Sequence, residues 1–181
     1  MKFNSEIHHR KSIRLRGYDY SQAGLYFITI CTHERLPLFG KIDDGKMVAN
    51  DAGLMVEKCW REIPDHFPQV ILDGFVVMPN HIHGIIEIRD TGVDVNNVGA
   101  KNVGANDYLP LRLHGTSRTV GSIVRGFKVG VTTWFREHTD IHQIWQRNYH
   151  EHIIRNEESY FKISEYIEYN PQKWLEDTYN V

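Results

Sequence analysis

The sequence predicts an α+β fold: a ferredoxin-like core whose mainly antiparallel sheet carries helices on one face and is followed by a C-terminal helix. Two observations predict it. Short runs rich in β-branched and aromatic residues alternate with segments of helical period, in the order strands, helix, strand pair, helix, strand, helix. The run "HIHGIIEI" (residues 81–88) also has one uniformly apolar face, Ile82, Gly84, Ile86 and Ile88, suited to packing under helices.

Each element has its own local signal. "GLYFITICTH" (24–33) reads as a strand by composition. "LFGKIDDGKMVAN" reads as a hairpin with Asp43-Asp44-Gly45 as its turn. Asp51 is the expected cap of a helix running to about His66, with Leu54, Met55, Lys58 and Cys59 at helical spacing. "VILDGFVVMP" and "HIHGIIEI" are two strands joined tightly at Pro79-Asn80. Val120, Ile123, Val124, Phe127, Val131 and Trp134 recur on one face and predict a long amphipathic helix. "YHEHIIR" suggests a further strand. The last helix opens at Asn156 and ends at Asn170-Pro171, where proline disfavours its continuation.

The 181 residues suit one domain, 1–181, with a basic arm over 1–17 and a flexible loop over 91–116 that holds the local duplication "NVGAKNVGA". Hydrophobic residues make up 41% and charged residues 24%, an ordinary globular balance, and no apolar run reaches the length of a membrane span. Two cysteines without CxxC spacing suggest a reduced, cytoplasmic protein. The net charge of −2 argues weakly against a polyanionic partner, but the charge is unevenly spread. Arg10, Lys11, Arg14 and Arg16 cluster in the arm, Arg112, Arg118, Arg125, Lys128 and Arg136 follow one another without an acid between them, and acids dominate 157–181. These runs fit either a polyanion-binding face or ordinary solvated surface.

His81 and His83 share the strand face opposite the apolar one and are expected to point to the open side of the sheet. Residues i and i+2 stand roughly 6.5–7 Å apart, close enough for two imidazoles to hold one cation. The pair also fits two exposed histidines on a surface strand. Two ligands leave a metal site short. Tyr166 and Asn170, at i and i+4, lie together on the terminal helix, and an amide oxygen with imidazoles suits Mg²⁺ or Mn²⁺. A tyrosine beside such a cation is a candidate nucleophile, although only about 0.1% of a free phenol is ionised at neutral pH. An ordinary core aromatic remains the other reading.

Taken together, "GLYFITICTHERLPLFG", "VVMPNHIHGIIEI", "VGSIVRGFKVGVTTWF" and "WQRNYHEHIIRNEESYFKISEYIEYNP" resemble, in this order, the HUH single-tyrosine transposases, and within them the REP-associated branch. The resemblance spans roughly residues 10–174. It implies that His81 and His83 bind a divalent metal, Mg²⁺ or Mn²⁺, that Asn170 completes the site, and that Tyr166 is the catalytic nucleophile. Relatives from insertion sequences often carry glutamine where Asn170 stands. Glu151 and His152 match a segment placed near the site.

The activity so implied is cleavage and rejoining of single-stranded, hairpin-containing DNA through a 5′-phosphotyrosine link, with DNA across the open sheet face. Arg10, Lys11, Arg14, Arg16, Arg125 and Lys128 would contact that DNA, and a monomer is expected rather than a homodimer. A non-catalytic nucleic-acid-binding module and a metal-dependent phosphodiesterase without a covalent intermediate are the competing functions.

Overall fold

A computed structural model describes residues 18–90 and 119–180. The basic arm with Arg10, Lys11, Arg14 and Arg16, the loop over 91–116, and Arg112 and Arg118 lie outside the described residues.

The central strand β1 (Gly24–Cys31) leads into a hairpin, β2 (Gly40–Asp43) and β3 (Lys46–Ala49). Asp44 and Gly45 turn that hairpin with φ of 48° and 69°, the left-handed pair a two-residue turn needs. Helix α1 (Asp51–Arg61) is capped by Asn50, whose side chain accepts a bond from the Gly53 N–H at 2.9 Å, not by Asp51 as expected. Asn50 is extended (φ −87°, ψ −175°) while Asp51 is already the first helical residue, where its charge favours the positive helix end. The helix continues only as one short turn, α2 (Ile63–His66), with Pro64 at its start.

Strands β4 (Val70–Met78) and β5 (His81–Ile88) follow, then α3 (Val120–His138), β6 (His150–Ile154) and α4 (Glu157–Tyr169). The main sheet has the order β4-β5-β1-β6, with every described pairing antiparallel. With the hairpin set aside, this is the strand order of a ferredoxin-like core, as the sequence predicts. Among the described residues, no helix is long and apolar enough to cross a membrane.

The two sheet faces do different work. Tyr26, Ile28, Ile30, Ile82, Ile86 and Ile88 point to one side and join Val56 and Trp60 of α1 and Ile123, Phe127, Val131 and Phe135 of α3 in the main core. Gly84 sits on that side too, directly beneath the Trp60 indole. The other side meets α4 through a small separate cluster of Ile85, Ile154 and Ile167. Helices α1 and α3 therefore share one face, as expected, and the tyrosine-bearing α4 takes the opposite one.

Candidate active site

β1 and β5 are the two inner strands, so their side chains are the best positioned in the sheet. Antiparallel register sets Thr29 opposite His83 and Cys31 opposite His81. These residues share the face on which Phe27, His150 and His152 also stand.

The histidines are not exposed. His81 is 0% and His83 1% accessible, contrary to the expectation of an open sheet face. The cover comes from α4 and from residues 171–180, which fold back over the strands. Trp174 stacks on His81 with ring centroids 6.0 Å apart, and Tyr179 approaches both imidazoles, at 4.7 and 5.6 Å. This tail is fixed by Asn80, whose Nδ2 donates to the Tyr179 carbonyl at 2.8 Å and to that of Arg35 at 3.1 Å. Arg35 in turn donates to the Thr178 carbonyl.

That use of Nδ2 turns Asn80 Oδ1 toward His81 Nδ1, 2.8 Å away. The oxygen can only accept, so His81 Nδ1 carries the proton and Nε2 presents its lone pair to the site. His83 is held likewise, with Nδ1 2.8 Å from the Thr29 hydroxyl and Nε2 3.1 Å from the Tyr166 hydroxyl. Burial lowers the His81 pKa to about 4 against the opposing pull of Asp177, and burial together with His81 holds His83 well below its ordinary value. Both rings are neutral at physiological pH, the form that ligates metals.

α4 brings Tyr166 and Asn170 over this pair. Asn156 caps the helix by accepting from the Ser159 N–H at 2.8 Å, and the Tyr160 hydroxyl donates to Asp73 Oδ2 at 2.7 Å, tying α4 to β4. Ile167 packs between Gly74 and Ile85. Tyr166 is 40% accessible, with its ring edge against Phe27 and its hydroxyl at His83. Its pKa is raised by burial first and then by Asp177 and Tyr179, so the phenol keeps its proton. Tyr169, the next tyrosine along α4, is 38% accessible.

The tail supplies a residue that sequence reasoning missed. Asp177 Oδ2 accepts from Asn170 Nδ2 at 2.7 Å and lies 3.4 Å from the Tyr166 hydroxyl. His81, His83 and Asp177 each offer a ligand atom, all within 4.8 Å of one another. Asn80 and Thr29 were also missed, the first read only as a turn residue and the second only as strand.

The donor set fits a divalent cation on an independent ground. His81 Nε2 and Asn170 Oδ1 are both buried without a hydrogen-bond partner. The Asn170 amide donates through Nδ2 to Asp177, and its oxygen completes no hydrogen bond. Two orphaned lone pairs in one buried site are costly unless something positive satisfies them.

Other expected site residues are dispersed. His152 lies on the histidine face, opposite Phe27. Glu151 pairs with Ile28 and so points to the other side of the sheet, because adjacent strand residues alternate. Arg125 is exposed on α3, while Lys128 turns its ammonium onto the carbonyls of Gln146 (2.9 Å) and Asn148 (2.8 Å).

No family model matches the chain. An uncharacterised protein of Haemophilus influenzae is 50% identical over 183 residues, covering 97% of this chain and 96% of that one. The chain belongs to that protein's family. The structure of a REP-associated tyrosine transposase bound to a REP hairpin aligns with a TM-score of 0.60 at 21% identity, over 89% of this chain and 73% of the other. The chain therefore shares the fold of that transposase.

Proposed function

We propose that the chain is a metal-dependent transposase of single-stranded, hairpin-containing DNA, which cleaves and rejoins strands through Tyr166. The observation that carries this reading is one contact: the Tyr166 hydroxyl lies 3.1 Å from His83 Nε2, at the edge of a buried set of unsatisfied ligand atoms. A nucleophile, oxygen and imidazole ligands, and partial solvent access meet there.

His81 and His83, with Asn170 and Asp177, would hold a Mg²⁺ or Mn²⁺ ion, which would supply Lewis-acid polarisation of a phosphate oxygen. The remaining steps belong to the chain. Asn80 fixes the tautomer of His81, and Asn80 and Thr29 together orient the two imidazoles, the role outer hydrogen bonds play around ligating histidines. Phe27 and the α4 backbone aim the Tyr166 oxygen. That oxygen attacks phosphorus in line, the bond from phosphorus to O3′ breaks, and the 5′ end stays on tyrosine. Asp177 Oδ2 is placed to take the phenolic proton, and water protonates the leaving O3′. Attack by a second 3′-hydroxyl reverses the step and frees Tyr166. Because the phosphotyrosine keeps the bond energy, no nucleotide cofactor is required.

The relative bound to a REP hairpin supports hairpin DNA as the partner class. Assembly of the site from one chain supports a monomer built as one domain over 1–181, with Arg10, Lys11, Arg14 and Arg16 of the arm as further DNA contacts. An intracellular, DNA-bound location follows from this reading.

A denaturing gel of the protein with 5′- or 3′-labelled single-stranded hairpin DNA and Mn²⁺ tests the proposal. A covalent adduct that disappears in Tyr166→Phe and on chelation is the expected result. Cleavage without an adduct would instead indicate a phosphodiesterase that uses water.

A further inference from the structure

A second feature lies apart from the histidine site. Between α3 and residues 147–149 runs a groove of about 370 Å³ that shares no residue with the site around Tyr166. Arg125, Lys128, Arg136 and Arg147 line it, with Thr132 and Asn148 between them and no carboxylate among its lining residues.

The arrangement along α3 is regular. Arg125, Lys128, Thr132 and Arg136 fall at i, i+3, i+7 and i+11, one stripe about 16 Å long at ~1.5 Å per residue. One strand of duplex DNA carries a phosphate every ~3.4 Å of axis, so the stripe spans about four or five of them. A small free anion would engage only one end of such a stripe.

The cations around the groove also lack counter-ions. Arg61, Arg89, Lys41, Lys58 and Lys162 each pair with a nearby carboxylate. Arg125, Arg136 and Arg147 have no ion pair among the described residues. Lys128 is half-buried, and its ammonium donates to the carbonyls of Gln146 and Asn148 and lies 5.8 Å from the Trp145 ring, with no carboxylate paired to it among the described residues. Desolvation pulls its pKa down to about 8, which marks a positive charge short of a negative partner.

Position adds the connection. Residues 147–149 run directly into β6, the edge strand whose exposed His150 and His152 flank Thr29 and Phe27 on the site face. The groove thus adjoins the same sheet edge that borders the site face.

We propose that the groove between α3 and residues 147–149 grips the phosphodiester backbone of DNA outside the cleavage site, so that the substrate wraps the β6 edge. The inference rests on the reading of Tyr166 as a DNA nucleophile for its biological meaning, but its test does not. The stem of the hairpin and its single-stranded flank offer the same phosphate chemistry.

Fluorescence anisotropy in a Tyr166→Phe background avoids cleavage. The probes are a labelled hairpin and a labelled single-stranded dT oligomer, each titrated between 50 and 200 mM salt. The variant is Arg125→Ala with Arg136→Ala and Arg147→Ala. Loss of three phosphate contacts should lower the salt slope by about 2.7 for a duplex stem or about 2.1 for a single strand, and weaken binding on the order of tenfold or more. The probe that responds identifies the segment held. The three matching Arg→Lys changes should keep most of the slope, which separates lost charge from lost folding. Slopes and affinities within twofold of the parent on both probes would overturn the proposal. Failure of wild-type protein to form an adduct would count against Tyr166 and leave the groove result standing.

Discussion

Gly84 follows His83 directly and faces the opposite side of the sheet, where a side chain has no room. A Cβ at this position would stand 2.3 Å from Cζ2 and 2.6 Å from Cη2 of Trp60. Ordinary carbon contacts begin near ~3.5 Å, so the indole would have to retreat by about 1 Å. It cannot do so freely. Trp60 is 2% accessible, stacked on Phe75 at 4.6 Å and 9°, and set edge-on to Phe127 at 5.6 Å. Overpacking a core costs about 1–3 kcal/mol, and rigid rings on both sides put Gly84→Ala at about 2–3. In a chain of this size that corresponds to a fall in Tm of about 4–12 °C. The sign is informative, because Gly→Ala in a strand interior otherwise gains about 0.5–1 kcal/mol. Thermal and urea unfolding of Gly84→Ala, Trp60→Ala and the double variant form the assay. The cost of Gly84→Ala should largely vanish once Trp60 is removed, a coupling of at least about 1.5 kcal/mol. An unchanged Tm for Gly84→Ala, or an equal cost without Trp60, would refute the close approach.

Two further predictions concern charge and metal. Mn²⁺ at about one hundred times its Kd should stabilise the wild type by about 2.7 kcal/mol; this rise should disappear in His81→Ala and shrink by half or more in Asp177→Asn, and equal rises in all three proteins would remove both residues from the ligand set. For Lys128, the folded pKa of about 8 lies below the ordinary 10.5, so between these values the unfolded chain binds the extra proton and stability rises with pH. Urea midpoints of wild type and Lys128→Met across this window should therefore shift in favour of the wild type as pH increases, and a constant difference would contradict the assignment.

The periodic parts of the fold were legible because their physics is local. Alternation in "HIHGIIEI" placed both histidines on one face, and four-residue spacing placed Tyr166 beside Asn170, where the structure has them. Burial of that face was not legible. Its cover depends on residues 171–180, which carry Pro171, a single 3₁₀ turn and no repeating apolar pattern. They are held by bonds from Asn80 and Arg35, residues 99 and 143 positions away from their acceptors. Asp177 accordingly counted only as one acid in an acidic tail. The cap of α1 was missed by one position because Asn50 and Asp51 are both good caps, and backbone angles rather than residue type decide between them.

The separation of the two apolar clusters bears on how the protein would lose activity. Trp60, Phe127 and their neighbours hold the sheet to α1 and α3, whereas α4 rests on the smaller cluster of Ile85, Ile154 and Ile167 with its half-buried neighbours and on the polar contacts of Tyr160, Tyr166 and Asn170. Opening of such a lightly anchored helix costs less than opening the whole domain. Tyr166 and Asn170 then depart while both histidines stay on an intact sheet. If Tyr166 acts as proposed, inactivation and unfolding are two events with separate thresholds, and reinforcing the larger core would raise the second without moving the first.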